Sequence, residues 1–499
     1  MKVTRRRALF YQRRTSNLYR LFALVLFILA GVWIVIRLTT GEIPNPFDPT
    51  PTSTRTINSW VLEGEALFEA GNLPAAITAY QEATKVDPNN AGVLAELARI
   101  QAYSSRLLSN DTDRLARLTE ALQSADQAKA LAPEDSNVLA TRAFVLDWNA
   151  DPNLDALRTG GKTAAKLIIE ADQEALSAIS LNHENPLALA FYAEVLIDEQ
   201  KWTQAEPNIQ SALQLGPQVM DVHRIYAYYL ESNKYYNQAI EEYQQALTIN
   251  PNLTFLYISI GHNYRALALG TSPGSQQTGL YNQALENYAK AVRLNEQLKI
   301  LDPSPYLAIA KTYAQMGEFF AAALNAQKAV ALDPTNADLY GQLGNIYKRG
   351  RNYETAIYAL RCAVDGCTPE VSCLARNGCP AGDAGVTVIP LPLSPRSATY
   401  YLDYGSVLAA FSPQKPSNCD AAVRVLTLLI QTYSTDQIIV SNAADGLSIC
   451  ANVYAAPTQT STAVTTPATT KTPTPQPSPT ITRTLMPTFT PSITPTPQP

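Results

Sequence analysis

Two groups of residues in this chain have the types that could do chemistry, and a third has the types that could hold a metal or form cross-links. Gly160-Gly161-Lys162-Thr163 has the close of a phosphate-binding loop, whose Lys and Thr reach phosphate and magnesium. Its opening is missing. Ala156 stands where the motif requires Gly, and no strand pattern precedes it to aim the loop at a helix N-terminus. The segment therefore reads as a turn in an insertion between two helices. His183, His223 and His262 are the three histidines, and their placement builds no H-x3-H pair and no local base-plus-nucleophile pair. Glu241-Glu242 lies on a helix surface as solvated charge. No catalytic residue, no metal ligand and no cofactor-binding residue is expected, so the chain does not read as an enzyme.

All six cysteines, Cys362, Cys367, Cys373, Cys379, Cys419 and Cys450, fall in the last third. The first four are spaced C-x4-C-x5-C-x5-C, which lacks the C-x2-C knuckle of structural zinc sites. An even number in an exported domain points instead to disulfides. Four cysteines allow three connectivities, whereas Cys419 and Cys450 are expected to pair, closing a loop of about 30 residues and stabilising by about 3–4 kcal/mol in the chain-entropy model.

Export is implied by the N-terminus. Lys2, Arg5, Arg6, Arg7, Arg13, Arg14 and Arg20 stand in the first 20 residues with no acid, and Leu21–Ile36 is uninterruptedly apolar. That run spans about 24 Å as a helix against a hydrocarbon core of about 30 Å. Tyr19, Leu38 and the snorkelling Arg20 and Arg37 must supply the rest. The positive-inside bias leaves the N-terminus cytoplasmic and sends the remainder across the membrane. A cleaved signal peptide is the competing reading, but Ile36-Arg37-Leu38-Thr39 offers no A-x-A site and Ala30-Gly31 lies inside the apolar run. An uncleaved signal-anchor over 21–37 is the expectation, with a single-pass topology.

Composition limits the partners. Once the seven basic residues of the N-terminus are set aside, 43 acids face the 31 bases left of 38. Such an excess disfavours nucleic acid or an anionic membrane surface as the main partner. Residues 456–499 are almost all Pro, Thr, Ser and small residues, with Lys471 and Arg483 as the only charges. They cannot bury a core and read as a disordered stalk or wall spacer. A shorter Pro/Thr linker occupies 38–56.

The elements that carry any site come from a repeat. Trp60, Gly64, Ala76, Tyr80, Ala83 and Pro88 form one copy, and Tyr226, Ala227, Leu230, Ala239, Tyr243, Ala246 and Pro251 another. Terminal turns at His183, Pro217 and Pro251 fall 34 residues apart. These residues resemble the tetratricopeptide repeat (TPR) family, with the signature W-x2-L-G-x2-Y, A-x3-F and P. His183, Glu296 and Thr368 depart from it where the family has Pro. Each repeat is two amphipathic helices that cannot bury their apolar faces alone, so stacking is obligatory.

The resemblance implies an all-α fold, a right-handed α-solenoid of about eight to nine helix pairs. Units begin near Ile57, Ala91, Ser136, Pro186, Met220, Thr254, Pro303 and Ala337 and fill 57–364. A Cys/Gly/Pro-rich loop over 365–395 has no helical period. Residues 396–455 hold a degenerate ninth unit and a capping helix, stapled by disulfide.

The family works as a protein-interaction scaffold, taking a peptide in the groove made by the first helix of each repeat. In this register Tyr228, Phe255, Ile258, His262, Arg265, Leu307, Lys311, Asn345, Lys348 and Arg349 face that groove. Arg265, Lys311, Lys348 and Arg349 form a basic patch in an acidic domain, complementary to an acidic or carboxylate-ended segment anchored on Phe255 and Tyr228. The family's clamp for terminal carboxylates is not reproduced at matching positions. The expected function is a membrane-anchored, extracytoplasmic scaffold with no cofactor. An accessory subunit of an envelope complex and a wall-glycan binder are the alternatives.

Overall fold

Leu18–Thr39 forms helix α1, 22 residues long. The computed structural model describes residues 17–39, 56–158 and 160–455; the expected disordered tail, most of the basic N-terminus and most of the linker lie outside the described residues. At 1.5 Å per residue α1 reaches about 33 Å, so continuing the helix through Arg20 and Arg37 supplies the length that Leu21–Ile36 lacks. Its Leu18–Arg37 stretch has a mean hydropathy of 2.4 and no buried residue. It is long and apolar enough to cross a membrane.

Antiparallel helix pairs follow, because each apolar face needs a partner. They are α2 (Ile57–Glu69) with α3 (Leu73–Val86), α4 (Ala91–Ser104) with α5 (Asp111–Leu131), α6 (Ser136–Asn149) with α7 (Ala164–Leu181), and α8 (Pro186–Asp198) with α9 (Trp202–Leu215). Next come α10 (Met220–Ser232) with α11 (Tyr236–Ile249), α12 (Thr254–Leu269) with α13 (Ser275–Leu298), α14 (Ser304–Met316) with α15 (Phe319–Leu332), and α16 (Ala337–Arg349) with α17 (Tyr353–Val364). After the short α18 (Pro369–Ala375), α19 (Ala398–Phe411) pairs with α20 (Asn418–Thr432), and α21 (Gln437–Ala455) packs on both.

The repeat's small residues set how closely each pair approaches. A Cβ on Gly64 would come within 2.5 Å of the Tyr80 ring, and one on Gly261 within 2.4 Å of Tyr288. Ala76, Ala239, Ala284, Ala322 and Ala356 hold one equivalent position in five second helices, and all are fully buried. Asn72, Asn90, Asn336 and Asn352 begin helices by accepting a first-turn backbone N–H.

The first helices line the inner face, and in the N-terminal half that face is filled. Tyr103 of α4 packs against Phe144 (5.2 Å between ring centroids) and Trp148 (5.3 Å) of α6 and stacks on Phe255 of α12 at 5.2 Å. Buried charges run through the same region. Arg224 of α10 donates two bonds to Glu194 of α8, at 2.7 and 2.6 Å, and one to the Tyr103 hydroxyl at 3.0 Å. Arg99 of α4 reaches Asp221 of α10 at 2.7 Å, and the Tyr103 hydroxyl bonds the same carboxylate. The solenoid thus turns tightly enough to touch itself. Asn252 donates to the Glu69 carbonyl at 3.0 Å, Ser109 bonds Asp333, and Arg396 pairs with Asp111 at 3.0 Å.

The C-terminal end is stapled by three disulfides: Cys362–Cys367, Cys373–Cys379 and Cys419–Cys450. The last joins α20 to α21 across a sequence separation of 31, as expected for the capping helix. The 365–395 stretch is less irregular than its composition suggests. Pro369 starts α18 at N1, and Cys367 pairs with Val388 in an isolated antiparallel bridge.

Candidate binding cavities

Successive first helices bring one row of side chains after another to the same wall, so residues far apart in sequence converge. Arg265 of α12, Lys311 of α14, Asn345 and Arg349 of α16, and Arg396, just before α19, line a cavity of about 330 Å³. Of these cations only Arg396 has a carboxylate within 4 Å among the described residues, namely Asp111 and Asp338. Arg349 donates to the Ala314 carbonyl at 2.9 Å and lies over the Phe319 ring. Arg265 Nη1, Gln315 Oε1 and Gln342 Oε1 are buried without a hydrogen-bond partner. Burial pushes the Lys311 ammonium down; Asp338 opposes this, while Arg265 and Arg396 add to it. His262 falls to about 3, first through burial and then through Arg265, Lys311 and Arg106, and stays neutral. The cations give the cavity a positive field.

Lys311, Gln342 and Arg396 also border a larger cavity of about 830 Å³. Its other wall is acidic. Asp147 of α6 is 4% exposed, and neither of its carboxylate oxygens has a partner. Burial, then Asp198 and Glu194, push this carboxyl well above the usual range. Asp198, at the end of α8, is open to the cavity and accepts the Tyr228 hydroxyl at 2.6 Å. Burial raises it to about 6, with Tyr228 lowering and Glu194 raising it further. Glu194 is already engaged by Arg224 and by Trp148 Nε1 at 3.1 Å.

Several expected site residues therefore meet and others do not. Arg265, Lys311, Asn345 and Arg349 share the smaller cavity, and Tyr228 and Leu307 line the larger one. His262 borders a void of about 100 Å³ beside Tyr228 and Phe255. Four assignments change. Phe255 is no exposed anchor, since it is 7% exposed beneath Tyr103. Lys348 leaves the basic patch because its ammonium pairs with Asp403 of α19. Ile258 packs into the cluster around Tyr288 and Ile309 instead of facing a groove. Glu242 is likewise no free surface charge, since it holds the His223 ring at 2.7 Å.

Repeat register points to none of Arg396, Gln315 and Gln342. Arg396 ends an aperiodic segment, so no register predicts its direction; Asp147 and Asp198 had a fainter signal, as acids closing two successive apolar first helices. At the loop-like Gly160–Thr163 stretch, Asp155 accepts the Ala164 N–H at 2.8 Å and Lys162 pairs with Glu170. Carboxylates already occupy what a phosphate would need.

Family models for the TPR repeat match residues 64–102, and tetratricopeptide-repeat models match 193–253 and 325–358. The chain carries tetratricopeptide repeats. The matched segments include Tyr228, Asn345 and Arg349, and TPR repeats support a protein-interaction scaffold. No curated protein matches in sequence. Among solved structures, a human IFIT1 dimer with PPP-AAAA aligns over 81% of this chain and 92% of that chain at 16% identity, TM-score 0.47. A TPR protein from Parabacteroides merdae aligns over 57% and 97% at 17% identity, TM-score 0.32. A thermophilic TPR protein of Thermus thermophilus aligns over 37% and 92% at 19% identity, TM-score 0.31.

Proposed function

We propose that this TPR protein is a membrane-anchored, extracytoplasmic, non-catalytic scaffold whose basic pocket receives an acidic segment of a partner protein. The observation that carries the binding reading is the convergence of Arg265, Lys311 and Arg349 on one cavity without a carboxylate within 4 Å. Unpaired cations held together repel one another, and an acidic ligand removes that cost. The basic residues before Leu21, the apolar α1 and the cysteines paired in disulfides support an anchor over 21–37 and an exported repeat domain.

The test uses the full chain in detergent and a fluorescent peptide of alternating Glu and Leu. The peptide should bind, and Lys311→Glu with Arg349→Glu should weaken it by about 5- to 150-fold, as loss of charge-assisted contacts worth about 1–3 kcal/mol requires. Raising salt should weaken binding to the native chain as the exposed charges are screened. Lys348→Ala should leave the affinity alone, since that ammonium faces Asp403. Equal affinity in the charge-reversed protein at low salt would refute the pocket. Protease added to intact cells should digest the repeats, and their full protection would refute the topology.

A further inference from the structure

The larger cavity holds unpaired charges of both signs. On the acidic wall, Asp147 and Asp198 have no Lys or Arg within 4 Å among the described residues, and Asp147 has no hydrogen-bond donor at all. On the basic side, Lys311 and Arg106 have no carboxylate within 4 Å; Arg106 lies over the Trp148 ring at 4.9 Å instead. Asp147 is the desolvated member, buried with neither carboxylate oxygen partnered, a costly state unless something bridges it, while Asp198, Lys311 and Arg106 are exposed and open to an incoming ligand. Protein side chains do not supply the bridge here, because Glu194 is committed to Arg224 and Trp148, and Arg396 to Asp111 and Asp338.

We propose that this chamber is a second binding site, for a small dipolar ligand of the amino-acid or short-peptide class, its ammonium held by Asp147 and Asp198 and its carboxylate turned toward Lys311. An ammonium offers three donors and no acceptor, which suits two adjacent carboxylates. Among the described residues no group of three or more His, Cys, Asp or Glu is placed to hold a metal ion, so the pair is matched to an amine rather than to a cation cage. A long polycation does not fit, because the far wall carries its own positive charge. The volume of about 830 Å³ lies within the range of about 300–1,000 Å³ usual for small-molecule sites. Apolar surface beside the charges comes from Trp148, Ile168 and Leu307. The site is distinct from the acidic-segment pocket except at Lys311, Gln342 and Arg396, which border both.

Calorimetric titration of the full chain in detergent with alanyl-alanine tests the assignment, using the same dipeptide N-acetylated and the same dipeptide C-amidated as the other arms. The free dipeptide should bind, and each blocked form should bind at least tenfold more weakly. Asp147→Asn with Asp198→Asn should abolish binding of the free dipeptide while leaving the acidic-peptide titration unchanged, which separates this site from the basic pocket. No binding of the dipeptide, equal binding of the blocked forms, or undiminished binding by the double variant would each overturn the proposal. The blocked dipeptides read the native protein, so they decide the question even where the double variant does not fold.

Discussion

Replacing Glu194 by Gln would leave the Arg224 guanidinium inside the protein without its bidentate carboxylate. Arg224 is 5% exposed and lies over the rings of Tyr103, Phe144 and Trp148 at 5.4–5.7 Å, so no water compensates it. Breaking a buried pair on one side costs about 3–5 kcal/mol, a large share of the total stability of about 5–15 kcal/mol for a domain. Gln retains the acceptor for Trp148 Nε1, so the loss reports charge and not that hydrogen bond. The companion variant removes both charges, Arg224→Met with Glu194→Met. It should cost less than Glu194→Gln alone, with a residue of about 1–3 kcal/mol for the unpartnered Trp148 N–H. Chemical denaturation of the full chain in detergent, followed by circular dichroism, gives both numbers. A cost below about 1 kcal/mol for Glu194→Gln, or a companion variant as unstable as the single one, would refute the claim that the inner face is a desolvated network.

Asp302 contributes to the pH dependence alongside Asp147 and Asp198: it is 2% exposed and burial raises it from 3.8 to about 6. A raised acid favours the folded state when protonated, so the cost of its charge, at most about 3 kcal/mol, is present above pH 6 and fades as pH falls towards 3.8; Asp302→Asn should raise the melting temperature near neutral pH and change nothing near about pH 4, and an equal effect at both would contradict this. Two glycine substitutions should have opposite signs. Gly261→Ala drives a Cβ into the buried Tyr288 ring and should cost about 1–3 kcal/mol, whereas Gly279→Ala in α13 meets nothing within 4 Å and should add up to about 1 kcal/mol. Thermal melts of both variants read the signs directly.

The helix pairs were legible because the same small and aromatic residues recur wherever two helices must approach. Ala239, Tyr243 and Ala246 are all buried on one face of α11, which periodicity alone dictates. Convergence of Arg265, Lys311 and Arg349 was legible for a related reason, since successive first helices repeat one orientation. What periodicity could not tell is how far the solenoid turns. The contact between Tyr103 and Phe255 depends on a small rotation accumulated over four repeats, and no local pattern encodes that sum. For the same reason Phe255 looked exposed when only its own repeat was considered. The partner of Lys348, Asp403, lies beyond the aperiodic 365–395 stretch and Arg396 directly follows it, so repeat register predicts neither contact.

An open solenoid is stabilised by each repeat and its nearest neighbours alone. Here Glu69 with Asn252, Ser109 with Asp333, and Asp111 with Arg396 join repeats that are not neighbours, and Ser109 and Arg396 of these contacts line the cavities. Their walls accordingly come from different parts of the chain: Asp147 and Asp198 from the third and fourth pairs, Lys311 from the seventh, Arg349 from the eighth and Arg396 from the segment before α19. A ligand spanning the larger chamber would tie together segments that the repeat alone leaves uncoupled. Its stabilisation would grow with occupancy as RT ln(1 + [L]/Kd), reaching about 2.7 kcal/mol at a hundredfold excess over Kd. Exposed ion pairs such as Arg396 with Asp111 contribute only about 0–1 kcal/mol each, so occupancy can outweigh them in deciding how firmly the solenoid stays closed. Binding and closure are then one equilibrium, and each biases the other by the same free energy.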